Sequence, residues 1–250
     1  MSLPFTPAAV ASLRALTLDL DDTLWPIGPV IERAERVLHD WLLRHAPATA
    51  QRYPVEAMRA LRAEIGRRHP EWAHDLTELR LRATHQALQD SGDDPALAQP
   101  AFELFFAERQ KVEFYPEVAA ALDRLAARWP LLALTNGNAD LAATGLARWF
   151  GGSVGARDCG VAKPDARIFQ AACARLQLPP EAVLHIGDDW RLDIAGARAA
   201  GLHSAWVRRP DAADRSAAAL HNEQAPHAAG LQGLHLQVSD LQALADALGA

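Results

Sequence analysis

Apolar positions follow two rhythms along this chain of 250 residues. The first is a set of short continuous runs that stop abruptly at Asp, Thr, Asn or Gly: RALTLDL at 14–20, PLLALTNGN at 130–138 and AVLHIGDD at 182–189, with HSAWV at 203–207 as a further strand. Continuous apolar runs of this length suit strands buried on both faces better than half-exposed ones. Between them lie helical stretches with their own punctuation: Pro116 opens EVAAALDRLAARW as a first helical residue, and Gly201 closes DIAGARAAG as a residue past a helix end. From residue 116 onward strand and helix alternate. That is the βαβ rhythm of an α/β fold, a Rossmann-like parallel sheet whose ligands bind beyond the carboxyl ends of the strands.

Residues 26–115 follow the second rhythm, with helical periodicity and no strand-like run. Ile31, Ala34, Leu38, Trp41 and Leu42 share one helical face, and Leu76, Leu79, Ala83 and Ala87 share another. Ser91-Gly92 punctuates before a last helix bearing Phe102, Phe105 and Phe106. This segment reads as a helical domain inserted after the first strand, leaving 1–25 and 116–250 for the α/β body. The first strand must then pair with strands more than a hundred residues later. Residues 211–233, rich in Ala, His and Gly, read as a surface connection.

Composition narrows the partners. Half the residues are hydrophobic and 22% charged, enough apolar material for one large or two modest cores. The net charge is −6, with arginines scattered rather than striped, so a nucleic-acid partner is not expected. Cys159 and Cys173 are too few for a disulfide framework and are expected as reduced, buried thiols. The first residues, MSLPFTPAAVASLRALTL, have no basic run, and no uncharged apolar run approaches the ~18 residues of a membrane span. We therefore expect a soluble cytoplasmic protein with no membrane partner. Of 25 basic residues only Lys111 and Lys163 are lysines, so each invites a reason.

Four polar clusters end four segments: Asp19, Asp21 and Thr23; Thr135 and Asn136; Lys163; and Asp188, Asp189 and Asp193. Singly, each reads equally well as a turn, a cap or a solvated loop. A parallel sheet would bring them to one edge, where carboxylates ~4 Å apart repel by about 4 kcal/mol at an effective dielectric of 20. A hard divalent cation answers that repulsion, and an all-oxygen donor set points to Mg²⁺ rather than Zn²⁺. With a lysine nearby, the arrangement describes a phosphate site.

LDLDDTLW at 18–25, LTNGN at 134–138, VAKPD at 161–165 and HIGDDWRLDIAGA at 185–197 resemble, in order and spacing, the four motifs of the haloacid dehalogenase-like hydrolase superfamily. The helical segment falls where that superfamily inserts its first type of cap domain. The resemblance implies Asp19 as a nucleophile that forms an aspartyl phosphate, and Asp21 as the acid and then base that serves it. It implies Mg²⁺ on the Asp19 and Asp188 carboxylates and the Asp21 backbone carbonyl. Thr135, the backbone near Asn136, and Lys163 would bind the phosphoryl oxygens. Thr23 and Asp193 stand behind that set, Asp193 orienting Lys163 or a metal-bound water. Asp22 and Asp189 are explained by local turns or caps alone.

The superfamily also contains dehalogenases and phosphomutases, and a non-catalytic binding protein could keep the fold. Asp21 favours phosphoryl transfer, because a departing halide needs no proton. Stretches such as LDLDDTLWPIGPVIERAE and HPEWAHDLTELRLRATHQAL further resemble the branch that dephosphorylates FMN and 5-amino-6-(5-phospho-D-ribitylamino)uracil; nucleotide and sugar-phosphate phosphatases overlap with it. The partner would be a small phosphorylated metabolite. In the helical segment His74, Asp75, Thr77, Arg80 and Arg82 form the cluster expected to touch substrate, with His74 and Arg80 foremost; the alternative is that Asp75 caps a helix and both arginines are solvated. Of the tryptophans, Trp41 belongs to a buried stripe, Trp72 could stack on a ring, and Trp25 is the better candidate for lining the site.

Overall fold

The computed structural model describes residues 10–209 and 235–250; the connection read at 211–233 lies outside them. A six-stranded sheet in the order β3-β2-β1-β4-β5-β6 is formed by β1 (Ala15–Leu18), β2 (Leu131–Thr135), β3 (Phe150–Gly155), β4 (Val183–Gly187), β5 (His203–Val207) and β6 (His235–Val238). Every pairing is parallel. β1 is central, with Leu18 level with Ala133 on one side and Ile186 on the other. The chain runs outward from β1 through β2 to β3, then returns to β4 on the opposite side. That reversal opens a crevice at the carboxyl ends of β1, β2 and β4.

Successive strand residues point to opposite faces, and each face is covered. One side buries Leu16, Leu18, Leu131, Ala133, Leu184 and Ile186 beneath α6 (Val118–Ala126) and α8 (Leu241–Leu248). The other buries Leu132, Leu134 and Val183 beneath α7 (Ala166–Leu176), with Ile168, Phe169 and Ala172. Full burial of each leucine, isoleucine, valine or phenylalanine among them contributes about 1.5–3 kcal/mol. Two strands carried little signal in the sequence. β3, FGGSVG, has exposed and glycine positions, and β6 is the four-residue HLQV at the opposite edge. Pro116 lies just before α6, which begins at Val118 rather than at the proline.

Residues 27–109 are helical: α1 (Ile27–His45), α2 (Pro47–Arg52), α3 (Val55–Arg68), α4 (Leu76–Ser91) and α5 (Ala98–Arg109). They share a hydrophobic cluster of their own, including Ala34, Leu38, Leu42, Leu79, Ala83, Ala87 and Phe105. Leu76, expected on the apolar face, is instead 47% exposed, because it is the first residue of α4 after the Asp75 cap. Gly92 ends α4 with φ +77°, which a residue without a Cβ adopts at no steric cost. The segment leaves and rejoins the α/β body side by side, with the Tyr115 amide donating to the Leu24 carbonyl at 3.0 Å. No helix among the described residues is long and apolar enough to cross a membrane. Cys173 is buried and Cys159 only half-buried, both free.

Candidate active site

The crevice at the sheet edge gathers the four polar clusters into one cleft of about 170 Å³, lined by Asp19, Asp21, Thr135, Lys163, Asp188 and Asp193 among others. Strand pairing explains the convergence. Asp19 follows β1, Thr135 ends β2 and Asp188 follows β4, so parallel register brings these residues to the same height.

Lys163 is the buried hub. Its Nζ donates to Asp19 Oδ1 at 2.5 Å and to Asp193 Oδ1 at 2.6 Å. Burial alone would lower its pKa, but the two carboxylates outweigh burial and raise it, so the ammonium is held charged. The Asn136 side chain fixes its backbone from both directions: Lys163 N–H donates to Asn136 Oδ1 at 2.7 Å, and Asn136 Nδ2 donates to the Lys163 carbonyl at 3.1 Å. An ammonium has three donors, so one remains after the two aspartates.

Asp193 is fully committed. Besides Lys163, its Oδ1 accepts from His185 Nε2 at 3.1 Å, and its Oδ2 accepts from the Asp189 amide at 3.0 Å. An ionised carboxylate only accepts, so His185 Nε2 carries the hydrogen and its Nδ1 accepts from Thr17 Oγ1 at 2.9 Å. Burial lowers the pKa of this histidine and keeps it neutral. Asp193 reaches its place because residues 190–195 form a wide π-helical turn and because Gly187 has no side chain. A Cβ on Gly187 would lie 2.3 Å from Asp193 Cγ.

Oxygens of Asp19, Asp188 and Asp193 lie within 4.8 Å of one another, an arrangement that could hold a metal ion. Asp193 already satisfies three donors, which leaves Asp19 and Asp188 as the carboxylates suited to a cation. Both are charge-starved. Burial raises Asp19 to about 7 against the opposing pull of Lys163, with Asp193 and Asp21 adding repulsion. Burial and the Asp19 and Asp193 charges push Asp188 well above the usual carboxylate range. Thr23 links the two, donating to Asp188 Oδ1 at 3.0 Å with a longer 3.5 Å contact to Asp19 Oδ2. An all-carboxylate pair that resists ionisation for lack of positive charge fits a hard cation such as Mg²⁺.

Thr135 Oγ1 accepts from the Gly137 amide at 2.9 Å, leaving its hydroxyl hydrogen to donate elsewhere. Asp21 is held by three contacts. Arg109 Nη2 donates to both its oxygens at 2.9 and 2.7 Å, and Trp25 Nε1 donates to Oδ1 at 3.0 Å. Asp22 and Asp189 have local roles, as expected. Asp22 Oδ1 accepts from the Ile27 amide at 3.0 Å, and Asp189 caps the following turn through the Arg191 and Leu192 amides.

Two expectations for substrate contacts, Trp25 and Arg80, are corrected. Trp25 is wholly buried, its ring 5.9 Å from Phe114, so it offers no face to a ligand and reaches the site only through its N–H. Arg80 is neither solvated nor at the cleft. Its guanidinium lies 3.5 Å over the Phe105 ring and 3.7 Å from Glu35, inside the helical segment, where burial lowers its pKa to about 9. His74 is half-buried just before α4 and is not among the described residues that line the cleft. Arg82 is half-exposed, paired with Glu78 and placed over Trp72 away from the cleft, whereas Trp41 stacks on His45. Asp75 caps α4 and also meets Arg157 of the α/β body at 3.2 Å. Thr77 does reach the body, accepting from Asn138 Nδ2 at 3.2 Å. Sequence reasoning missed Arg109, His185 and the close-packed Gly187. Arg109 has no local signal among 23 arginines, and His185 hides inside an apolar run.

Comparison with known proteins agrees with this geometry. The family model described as haloacid dehalogenase-like hydrolase matches residues 13–201. Among curated relatives, the 5-amino-6-(5-phospho-D-ribitylamino)uracil phosphatase YigB of Escherichia coli K12 is 34% identical over 200 residues, covering 78% of this chain and 84% of that protein. A phosphoserine phosphatase of Thermus thermophilus is 33% identical over 236 residues, covering 79% of this chain and 89% of that protein. Among solved structures, a 2-haloacid dehalogenase from Pseudomonas syringae pv. Tomato DC3000 superposes with a TM-score of 0.80 at 34% identity, covering 95% of this chain and 98% of that one. With the motif residues gathered in one cleft, the chain belongs to the haloacid dehalogenase-like hydrolase family.

Proposed function

We propose that this protein is a Mg²⁺-dependent phosphomonoester hydrolase acting through an aspartyl phosphate. The observation that carries the reading is the pair Asp19 and Asp21, two carboxylates of one loop lining one cleft with Lys163 and Thr135. Asp19 Oδ1 is occupied by Lys163, so Oδ2 is the oxygen suited to attack phosphorus. The remaining Lys163 donor and the Thr135 hydroxyl are suited to the non-bridging oxygens, where transition-state charge is spread. Asp21 would protonate the leaving alcohol oxygen and then take a proton from the water that hydrolyses the acyl phosphate. Bound at Asp19 and Asp188, with the Asp21 carbonyl as a further donor, Mg²⁺ would supply the positive charge that these carboxylates lack. Residues 26–115 would serve as the cap, and the α/β body as the hydrolase core.

The cleft is small and polar, and among the described residues no aromatic side chain lines it. That supports a small phosphorylated sugar or polyol end in the cleft, an end that FMN and 5-amino-6-(5-phospho-D-ribitylamino)uracil share. Together with the 34% identity to a ribitylaminouracil phosphate phosphatase, it favours 5-amino-6-(5-phospho-D-ribitylamino)uracil or a similar small phosphate ester. The similarity to a solved 2-haloacid dehalogenase is a second reading, and Asp21 speaks against it because halide departure needs no proton. Phosphate and halide release should be measured over a panel containing that ester, FMN, sugar phosphates and a 2-haloacid, with Asp19→Asn as control. We expect phosphate release with Mg²⁺ and its loss in Asp19→Asn. Halide release alone, or full activity in the variant, would overturn the proposal.

A further inference from the structure

The geometry points to Arg109 as a positioning residue through which the helical segment aims Asp21 at the leaving group; this rests on the phosphomonoesterase reading. Arg109 ends α5, in the segment rather than the α/β body, and is 2% exposed. Its Nη2 reaches both oxygens of Asp21, while its Nε donates to Asn138 Oδ1 at 3.0 Å. Asn138 in turn donates to Thr77 of α4. Asp21, Arg109, Asn138 and Thr77 thus form a continuous chain from the loop after β1 to two helices of the segment.

Three features mark this as aiming rather than adhesion. Asp21 is partly exposed on a loop, where its side chain would otherwise sample several rotamers. Trp25 holds Oδ1 from one side, and the bare Gly137 leaves the gap that Oδ2 fills, since a Cβ there would stand 2.5 Å from Oδ2 and 3.0 Å from Arg109 Nη2. Arg109 Nη1 is buried with no hydrogen-bond partner among the described residues, a cost that a side chain serving only to glue two surfaces would not need to carry. The contact accordingly selects among substrates: esters whose alcohol leaves poorly need an aimed proton donor, and esters of acidic phenols do not.

The test compares kcat/KM for p-nitrophenyl phosphate and for an alkyl ester such as glycerol phosphate, with Mg²⁺, in the full chain and in Arg109→Ala, Arg109→Lys and Asn138→Ala. General acid assistance is typically worth about 10²- to 10⁴-fold. Arg109→Ala should therefore lose at least about tenfold more activity on the alkyl ester than on the aryl ester. Arg109→Lys should recover part of that selective loss. Half-buried Asn138 can be truncated without opening the interior, so Asn138→Ala should show a smaller loss with the same selectivity even where Arg109→Ala fails to fold. Equal losses on both esters, or none, would overturn the positioning role while leaving the hydrolase reading intact. If the unsubstituted protein releases phosphate from neither ester nor from any phosphate ester of the panel above, the hydrolase reading falls and this one with it.

Discussion

Asp193→Asn isolates the interaction on which the buried lysine depends. The wild-type carboxylate accepts from Lys163 and His185 on Oδ1 and from the Asp189 amide on Oδ2. An amide of the same shape has one acceptor and one donor. With its oxygen toward Lys163, its NH₂ faces the Asp189 N–H and leaves a buried donor unsatisfied, which costs about 1–3 kcal/mol. With its NH₂ toward Lys163, it confronts a buried ammonium. In either orientation Lys163 loses one of two counter-charges, and breaking a buried pair costs about 3–5 kcal/mol. Asp19 still holds the lysine, so the total should fall at about 3–5 kcal/mol rather than at the sum. Urea unfolding at pH 7 measures it, as a lower midpoint with an unchanged slope. The pH dependence has a definite sign. Burial would raise Asp193, but the Lys163 charge and the His185 hydrogen bond prevail and hold it well below the ordinary carboxylate value of 3.8. The stabilisation is therefore fully present above that value and is lost only as pH falls through the still lower folded-state value. Titration of Asp193 itself therefore does not change the gap between wild type and variant from pH 5 to 7. A loss below about 1 kcal/mol, set against that buried-pair cost, would show that Asp19 alone satisfies Lys163 and would refute the reasoning.

Two further outcomes follow from the same cluster. Lys163→Arg should abolish phosphate release nearly as completely as Lys163→Ala, because a planar guanidinium cannot replace a point charge shared by Asp19 and Asp193, whereas Lys111→Arg, on an exposed side chain paired with Glu108, should leave both activity and thermal midpoint unchanged. Mg²⁺ should raise the thermal midpoint more at pH 8 than at pH 5.5: a carboxyl raised to about 7 at Asp19, and another raised at Asp188, stabilise the metal-free fold below pH 4, and that contribution is lost as pH climbs to 7, where the cation takes the place of the protons. Equal shifts at both pH values, read by differential scanning fluorimetry, would contradict the assignment of those two carboxylates to the metal.

Local physics made much of this protein readable from its residues. Short unbroken apolar runs bounded by turn residues suit strands buried on two faces, so β1, β2, β4 and β5 were legible, as was the helical interruption between β1 and β2. The polar residues that stop those runs mark the strand ends, and a parallel sheet then gathers Asp19, Thr135, Asp188 and, with the following loop, Lys163 on one edge. β3 and β6 escaped because edge strands need fewer apolar residues, and glycines blur the pattern further. What a run of letters does not encode is which distant side chain fills a given space. Arg80 has the same helical phase whether it faces a cleft or the Phe105 ring, and packing of α1 and α5 against α4 decided for the ring. Trp25 lies beside the motif in sequence, yet the core took its ring and left the site only its N–H. Arg109 lies 88 positions from Asp21 and meets it only because the helical segment folds back over the loop after β1. Periodicity and strand-end chemistry are properties of neighbours along the chain; the grip on Asp21 and the three donors on Asp193 depend on long-range closure, which only the folded packing supplies.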